Sequence, residues 1–133
     1  MIFREEGASI TRREGDALYA DRTLVVLRTA PFGALTISGF IDHNNAEAVG
    51  QSLMAELSRN EARSHALGGH DGDLRVDVTQ LEFTDVSGLK AIVDASRAAT
   101  SGRLVVRGLP AQIVRVLALV GWSDVPTLVV EES

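Results

Sequence analysis

The sequence of 133 residues contains no cysteine, which excludes disulfide bonds and metal sites built on thiolate ligands. Aromatic residues make up only 5% of the chain against 45% hydrophobic residues in total, so we expect a core of aliphatic side chains. The most apolar stretch, residues 114–122, is interrupted by Arg115 and is too short to span a bilayer. The first residues also lack the long apolar segment of a signal peptide, and the sequence therefore predicts a soluble, cytoplasmic protein.

The charge balance and the missing motifs exclude several classes of function. The formal net charge is −5, so neither nucleic acid nor an anionic membrane is expected as a partner. The sequence has no Walker-type phosphate loop, no dinucleotide-binding fingerprint and no Gly-x-Ser-x-Gly nucleophile elbow. His70, Asp71 and Asp73 are metal-ligand residue types on a glycine-rich stretch, but they have no fourth partner. We therefore predict no enzymatic activity, no cofactor and no metal site.

Hydrophobic periodicity predicts a single α/β domain. Short apolar runs predict strands at residues 24–28, 104–106 and 127–130, and alternating patterns predict strands at 35–38 and 74–78. The strands at 24–28 and 35–38 are predicted to form a hairpin. Helical patterns predict one helix capped at Asn44 or Asn45, one from Ser87 to about residue 99, and one after Pro110. The polar segment 60–72 is predicted to be a surface loop. Strands that alternate with helices in the second half indicate βαβ units and a largely parallel sheet.

The pattern also predicts the domain limits and the core. Residues 1–22 are charged and weakly patterned, and we predict an N-terminal extension: a tail, a short leading strand or a partner-binding segment. Residues 23–133 are predicted to form the domain. Seven aliphatic side chains are predicted to lie in its core: Val76, Val78, Ile92, Val93, Leu104, Val106 and Leu117.

Residues 83–89, Phe-Thr-Asp-Val-Ser-Gly-Leu, connect a strand pattern to a helix pattern. A Ser or Asp at such a junction caps the free N–H groups of the first helical turn. The same N–H groups and the helix dipole favour a phosphate there. Ser87 is therefore either a helix cap or a phosphate acceptor, and Thr84 is a weaker acceptor candidate. Asp85 either caps the helix or orients a kinase-bound phosphate.

This segment resembles the signature of the STAS family, which comprises the anti-sigma-factor antagonists and their relatives. Three further segments resemble the family's motifs in the same order: residues 39–44 (Gly-Phe-Ile-Asp-His-Asn), 81–85 (Leu-Glu-Phe-Thr-Asp) and 107–122. The resemblance extends over about residues 24–130. It implies a STAS fold, in which a small, mixed and mostly parallel sheet carries helices mainly on one side. It also implies regulation by protein–protein contact.

In the phospho-switch members of the family the loop reads Asp-Ser-Ser/Thr-Gly-Leu, and a partner kinase phosphorylates the first Ser. Val86 stands at that position here, and Ser87 aligns with the second hydroxyl residue. The resemblance thus implies docking on an anti-sigma factor or a related ATPase-fold kinase, without the usual phospho-switch. The partner-binding residues that it implies are Asp42, Asp85, Val86, Ser87 and Gly88. The alternative is a sensory or scaffolding module that binds a small ligand or self-associates.

Overall fold

The computed structural model describes residues 17–68 and 72–131. Its strands are β1 (Ala17–Ala20), β2 (Leu24–Arg28), β3 (Ala34–Ile41), β4 (Leu74–Asp77), β5 (Leu81–Thr84), β6 (Leu104–Arg107) and β7 (Leu128–Glu131). Its helices are α1 (Ala46–Ala66), α2 (Val86–Arg97) and α3 (Ala111–Leu119), followed by a short 3₁₀ helix at Trp122–Asp124. Residues 1–16, 69–71 and 132–133 lie outside the described residues.

All seven strands belong to one mixed sheet. The strand order is β1-β2-β3-β4-β6-β7, and β5 pairs with β3 beside this path. Strands β1, β2 and β3 are antiparallel neighbours, whereas β3, β4, β6 and β7 run parallel to one another. Strand β4 pairs with the first half of β3, and β5 pairs with its last residues. The predicted single α/β domain with a mixed, mostly parallel sheet is confirmed.

One face of the sheet packs with the three helices into a single aliphatic core. Every one of the seven core residues named from the sequence is at most 4% exposed, which confirms that prediction. Leu53 and Leu57 of α1 are buried beside them. Burying one such side chain contributes roughly 1.5–3 kcal/mol. This core holds the helices on the sheet and so determines where the loops at the carboxyl ends of the strands lie.

The prediction of a surface loop at 60–72 is wrong for its first half, because α1 continues through residue 66. Asn60, which the polar pattern assigned to this loop, is only 5% exposed. Its Nδ2 donates to the carbonyl oxygens of Gly72 and Asp73, each at 2.8 Å. These acceptors lie 12 and 13 residues further along the chain, so the sequence pattern could not reveal that this polar side chain is satisfied inside the protein. His70 and Asp71 of the same segment lie outside the described residues.

The structure also adds strands at two places. Within residues 1–22, Ala17–Ala20 forms β1 and pairs antiparallel with β2, which corresponds to the short leading strand among the three alternatives. Strand β5 was not predicted. It pairs with β3 through an irregular register, in which Gly39 faces Leu81 but Phe40 faces Phe83. A four-residue strand with such a bulge has too little alternation to be recognised from sequence.

Candidate functional site

The loops that follow β3 and β5 are neighbours at the carboxyl end of the sheet. Ile41 and Thr84, the last residues of the two strands, are register partners, so Asp42 and Asp85 begin adjacent loops. The N–H of Asp85 donates to the carbonyl of Ile41 at 3.2 Å. Asp42, Asp85 and Ser87 are all partly exposed. The structure therefore brings together, at one end of the sheet, the residues that the sequence analysis selected from two separate segments.

Asp85 is the N-cap of α2. Its backbone is extended, with φ −91° and ψ −175°, and its Oδ1 accepts the N–H of Gly88 at 3.0 Å. The same oxygen accepts the hydroxyl of Ser87 at 2.5 Å. The interpretation of Ser87 as the helix cap is therefore wrong, because Ser87 lies inside the first turn and donates to the true cap. A cap of this kind stabilises a helix by about 1 kcal/mol.

These contacts keep the cap ionised. The hydrogen bond from the Ser87 hydroxyl holds the pKa of the Asp85 carboxyl below its usual range, although desolvation acts in the opposite direction. The Gly88 N–H and the nearby His43 lower this pKa further. The carboxylate also lies at the positive end of the α2 dipole, where negative charge is favoured. The start of α2 thus carries a fixed negative charge at neutral pH.

The three side chains around the expected phosphate-acceptor position differ in exposure. Val86, which has no hydroxyl, is 60% exposed. Ser87 is only partly exposed, and its hydroxyl is engaged with Asp85. Thr84 is 9% exposed, and its hydroxyl donates to the Asp85 carbonyl at 3.1 Å. The most accessible side chain of the segment is therefore the one that cannot accept a phosphate.

Gly88 allows α2 to begin directly on the ends of β3 and β5. A Cβ built on this buried glycine would overlap the Thr84 hydroxyl and would lie 2.6 Å from Cγ2 of Ile41. Both of those side chains are buried and cannot move aside easily. The absence of a side chain at residue 88 thus sets the distance between the helix and the sheet, and it belongs to the support of the site.

Asn45 is a buried residue of the site whose role the sequence analysis missed. It is 2% exposed, and its Oδ1 accepts the N–H of Asp42 at 2.9 Å. Its Nδ2 donates to the carbonyl of Phe40 at 3.0 Å and to Asp21 at 3.3 Å. Although Asn45 occupies the N-cap position of α1, its side chain makes no capping hydrogen bond to the helix. It instead fixes the loop that carries Asp42.

Asp21, in the turn between β1 and β2, is the second support of that loop. Its carboxylate accepts the Tyr19 hydroxyl at 2.6 Å and the N–H groups of Thr23 and Leu24 at 2.7 and 2.9 Å. The Tyr19 hydrogen bond, followed by that of the Thr23 N–H, lowers the pKa of Asp21 to about 2. The Asp-x-Thr spacing is a sequence signal for such a turn. Residues 19–24 are therefore structurally joined to the β3–α1 loop.

Two further findings limit the chemistry of the described part of the chain. Within residues 17–68 and 72–131, no three side chains of His, Cys, Asp or Glu are grouped so that they could hold a metal ion. None of the helices in these ranges combines the length and the apolar character that crossing a membrane requires. The site as described is a surface of one capping carboxylate, a second partly exposed carboxylate and an exposed aliphatic side chain, which suits contact with another macromolecule.

Comparison with known proteins adds a family and a fold. A family model described as "Mlab, STAS domain" matches residues 27–131. No curated protein matches the sequence. The structure resembles the unphosphorylated anti-sigma factor antagonist SpoIIAA of Bacillus, with a TM-score of 0.55, 12% identity and coverage of 83% of this chain and 88% of that chain. It also resembles an anti-sigma factor antagonist from Mycobacterium paratuberculosis, with a TM-score of 0.53, 22% identity and coverage of 80% and 84%. At these identities the likeness establishes a shared fold.

Proposed function

The chain belongs to the STAS domain family, and we propose that it is an anti-sigma-factor antagonist-like regulator that acts by protein–protein docking. The proposed docking surface is the 84–89 loop with the first turns of α2. The proposed partner is an anti-sigma factor or a related ATPase-fold kinase, which this docking would release from its other client. Two proteins of similar fold are themselves anti-sigma factor antagonists, which supports the proposal. We propose no enzymatic activity for the chain.

The observation that carries the proposal is the combination of an exposed Val86 with a neighbouring Ser87 hydroxyl that is committed to Asp85. Val86 is 60% exposed and carries no reactive group, so we assign it to contact with the partner and not to chemistry. Beside it, a shallow groove of about 330 Å³ lies between α1 and α2, and its lining includes Ser87, Ala91 and the exposed Met54. Apolar contact surface next to an ionised carboxylate supports docking of a protein partner.

The same geometry argues against a phospho-switch. A phosphate on Ser87 would add a charge of about −1.5 to −2, and it would do so on an oxygen that lies 2.5 Å from the Asp85 carboxylate. It would also break the Ser87 hydrogen bond. The N-terminus of α2 would stabilise the phosphate by only about 0.3–1 kcal/mol. This is less than the combined cost of the repulsion between phosphate and Asp85 and of the lost hydrogen bond between Ser87 and Asp85. We therefore propose that the antagonist binds constitutively.

Affinity capture with the full chain as bait tests the docking surface. We expect the wild type to capture one ATPase-fold protein, and Asp85→Lys to weaken the measured affinity for that protein by about tenfold or more. Because Asp85→Lys also removes the cap, its thermal unfolding is measured in parallel, and a loss of about 1 kcal/mol is expected. Asp85→Asn is the matched control, since Asn caps helices well but carries no charge. Normal binding by Asp85→Lys would refute the proposed surface.

Two further measurements separate the competing readings. Intact-mass analysis after incubation with ATP and the captured partner should show unmodified protein, and stoichiometric phosphate on Ser87 would refute constitutive binding. Val86→Ser is the positive control, because it restores a hydroxyl at the family's acceptor position and becomes phosphorylated if the partner is a kinase. Capture of a sensor protein, or of further copies of the chain, would instead favour the scaffolding alternative.

A further inference from the structure

Two of the chain's four phenylalanines form an exposed pair beside the docking loop. Phe40 of β3 and Phe83 of β5 are register partners, and their ring centroids lie 6.4 Å apart with a tilt of 36°. Phe40 is 43% exposed and Phe83 is 50% exposed. The two rings form what we call the aromatic patch. Single exposed apolar side chains are common on protein surfaces, but two large rings in contact form an apolar patch, and such patches mark interaction sites.

The strand pattern explains why the core does not absorb these rings. Their chain neighbours Ile41 and Thr84 are buried on the face of the sheet that packs with the helices. Since successive side chains of a strand alternate between the two faces, Phe40 and Phe83 lie on the other face. Neither ring belongs to the hydrophobic core that the described residues form. Within residues 17–68 and 72–131, the rings thus lie outside the core and keep about half of their surface exposed.

A groove extends the patch toward α3. It has a volume of about 260 Å³, and its lining includes Phe83, Leu109, Pro110 and Ile113. Pockets for drug-sized ligands usually span about 300–1,000 Å³, so this groove is better suited to a single large side chain. Aromatic and aliphatic anchors in such grooves contribute a large share of the binding energy in protein interfaces.

The charges around the patch select the partner's chemistry. In residues 39–45 and 81–87 the acidic side chains are Asp42, Glu82 and Asp85, and these two ranges contain no Lys or Arg. The first basic residue after them is Lys90, which is paired with Asp94. Arg107, at the end of β6, and Arg115, on α3, precede and follow the groove residues 109–113 in the sequence. Glu82 is exposed at the irregular position of β5, directly beside Phe83. The surface has an apolar centre and an acidic rim, so a partner that covers it must be apolar at its centre and basic at its edge. A second copy of the chain would bring an identical acidic rim to the interface, which is less complementary to this surface than a basic one.

We propose that the aromatic patch is the anchoring half of the docking surface, and that it receives an apolar side chain flanked by arginine or lysine on the protein partner. The inference rests on the proposed function, since it assigns the contact chemistry of the same partner. It extends the interface from the 84–89 loop across the ends of β3 and β5 to the start of α3. In this arrangement the acidic rim guides the partner, and the rings supply most of the apolar contact area.

The test uses the full chain and the protein captured through Asp85, purified, with the dissociation constant measured by calorimetry. We expect Phe83→Ala to raise Kd by about tenfold or more and Phe40→Ala to raise it several-fold. Leu119→Ala is the matched control, because Leu119 is a 79% exposed apolar residue on α3 outside the patch, and its Kd should change less than about twofold. Glu82→Lys should weaken binding and reduce its dependence on salt concentration. Thermal unfolding of each variant verifies that it is folded.

The outcomes distinguish failure of the aromatic patch from failure of the proposed docking surface. If Phe83→Ala and Phe40→Ala bind like the wild type while Asp85→Lys does not, the aromatic patch is overturned and docking at the loop stands. If Asp85→Lys also binds normally, both proposals are overturned. They are likewise overturned if Asp85→Lys captures every protein that the wild type captures. If sedimentation equilibrium shows a dimer that Phe83→Ala dissociates, a second copy occupies the patch and the basic partner is excluded.

Discussion

Replacing Gly88 by alanine tests whether α2 truly begins in tight contact with the sheet. In a helix interior, alanine is more favourable than glycine by about 1 kcal/mol, because glycine loses more backbone entropy on folding. If only this local preference counted, Gly88→Ala would stabilise the protein. The structure predicts the opposite sign, because the added methyl group has no room between the helix and the ends of β3 and β5.

The magnitude follows from the contacts of the new methyl group. It would overlap the Thr84 hydroxyl and approach Cγ2 and Cβ of Ile41 to 2.6 and 3.1 Å. Ile41 is fully buried, and Thr84 is 9% exposed, so neither can move without disturbing the core. Overpacking of this kind costs typically 1–3 kcal/mol. The three close contacts place this substitution in the upper half of that range, at about 2–3 kcal/mol. After subtraction of a helix-propensity gain of about 1 kcal/mol, we expect a net destabilisation of about 1–2 kcal/mol.

Gly50 in α1 provides a matched control. It is also a buried helical glycine, but a Cβ there would lie 3.5 Å from the Ala91 Cβ and 3.6 Å from the Ala91 carbonyl oxygen. These are ordinary van der Waals distances, so the propensity term should dominate. We expect Gly50→Ala to stabilise the protein by about 0.5–1 kcal/mol. The two identical substitutions should therefore have opposite signs.

Urea unfolding measures both free energies, with the fluorescence of the single Trp122 and far-UV circular dichroism as independent probes. The predicted difference between the two variants is about 1.5–3 kcal/mol, above the error of such measurements. If Gly88→Ala is as stable as the wild type or more stable, the close approach of α2 to β3 and β5 is refuted. A destabilised Gly88→Ala should also weaken docking, because the helix start that carries Asp85 and Ser87 has to shift.

Two further predictions concern buried polar groups. Glu61→Gln should lower the free energy of unfolding by about 2–3 kcal/mol, because the Glu61 carboxylate accepts three backbone N–H groups of residues 100–102 and the Thr100 hydroxyl. Burial acts to raise the pKa of Glu61, but these four donors lower the pKa overall. The stabilisation is therefore present at pH values above the pKa of Glu61 in the unfolded chain, and it is lost as the pH falls through the pKa in the folded protein. If the difference in unfolding free energy between wild type and Glu61→Gln stays constant into acid, this explanation is contradicted. Asn45→Ala should cost about 2–3 kcal/mol by leaving the Asp42 N–H and the Phe40 carbonyl without their partner, and hydrogen exchange should accelerate at Asp42. The exposed Asn44→Ala is the control, and equal exchange in the two variants would refute the role of Asn45.

The sequence by itself determined the features that depend on short-range periodicity. The alternation at 74–78, the apolar runs at 104–106 and 127–130 and the helical spacing after Ser87 were enough to predict the parallel half of the sheet and its core. The motif at 83–89 located a loop at the carboxyl end of a strand, and a second motif located Asp42. These predictions succeed because strand and helix periods are local properties that buried faces impose on neighbouring residues.

Only the tertiary structure decided which polar groups are buried and which apolar groups are left exposed. Asn45 meets Asp21 across 24 positions of the chain, and Glu61 meets residues 100–102 across 39 to 41, so neither partner is visible in a local pattern. For the same reason a polar helical end was mistaken for a loop. Conversely, the strand pattern could not show that Phe40 and Phe83 pair on the face of the sheet opposite the described helices. Which face of a strand is covered depends on where the helices pack, and that is settled only when distant segments come together.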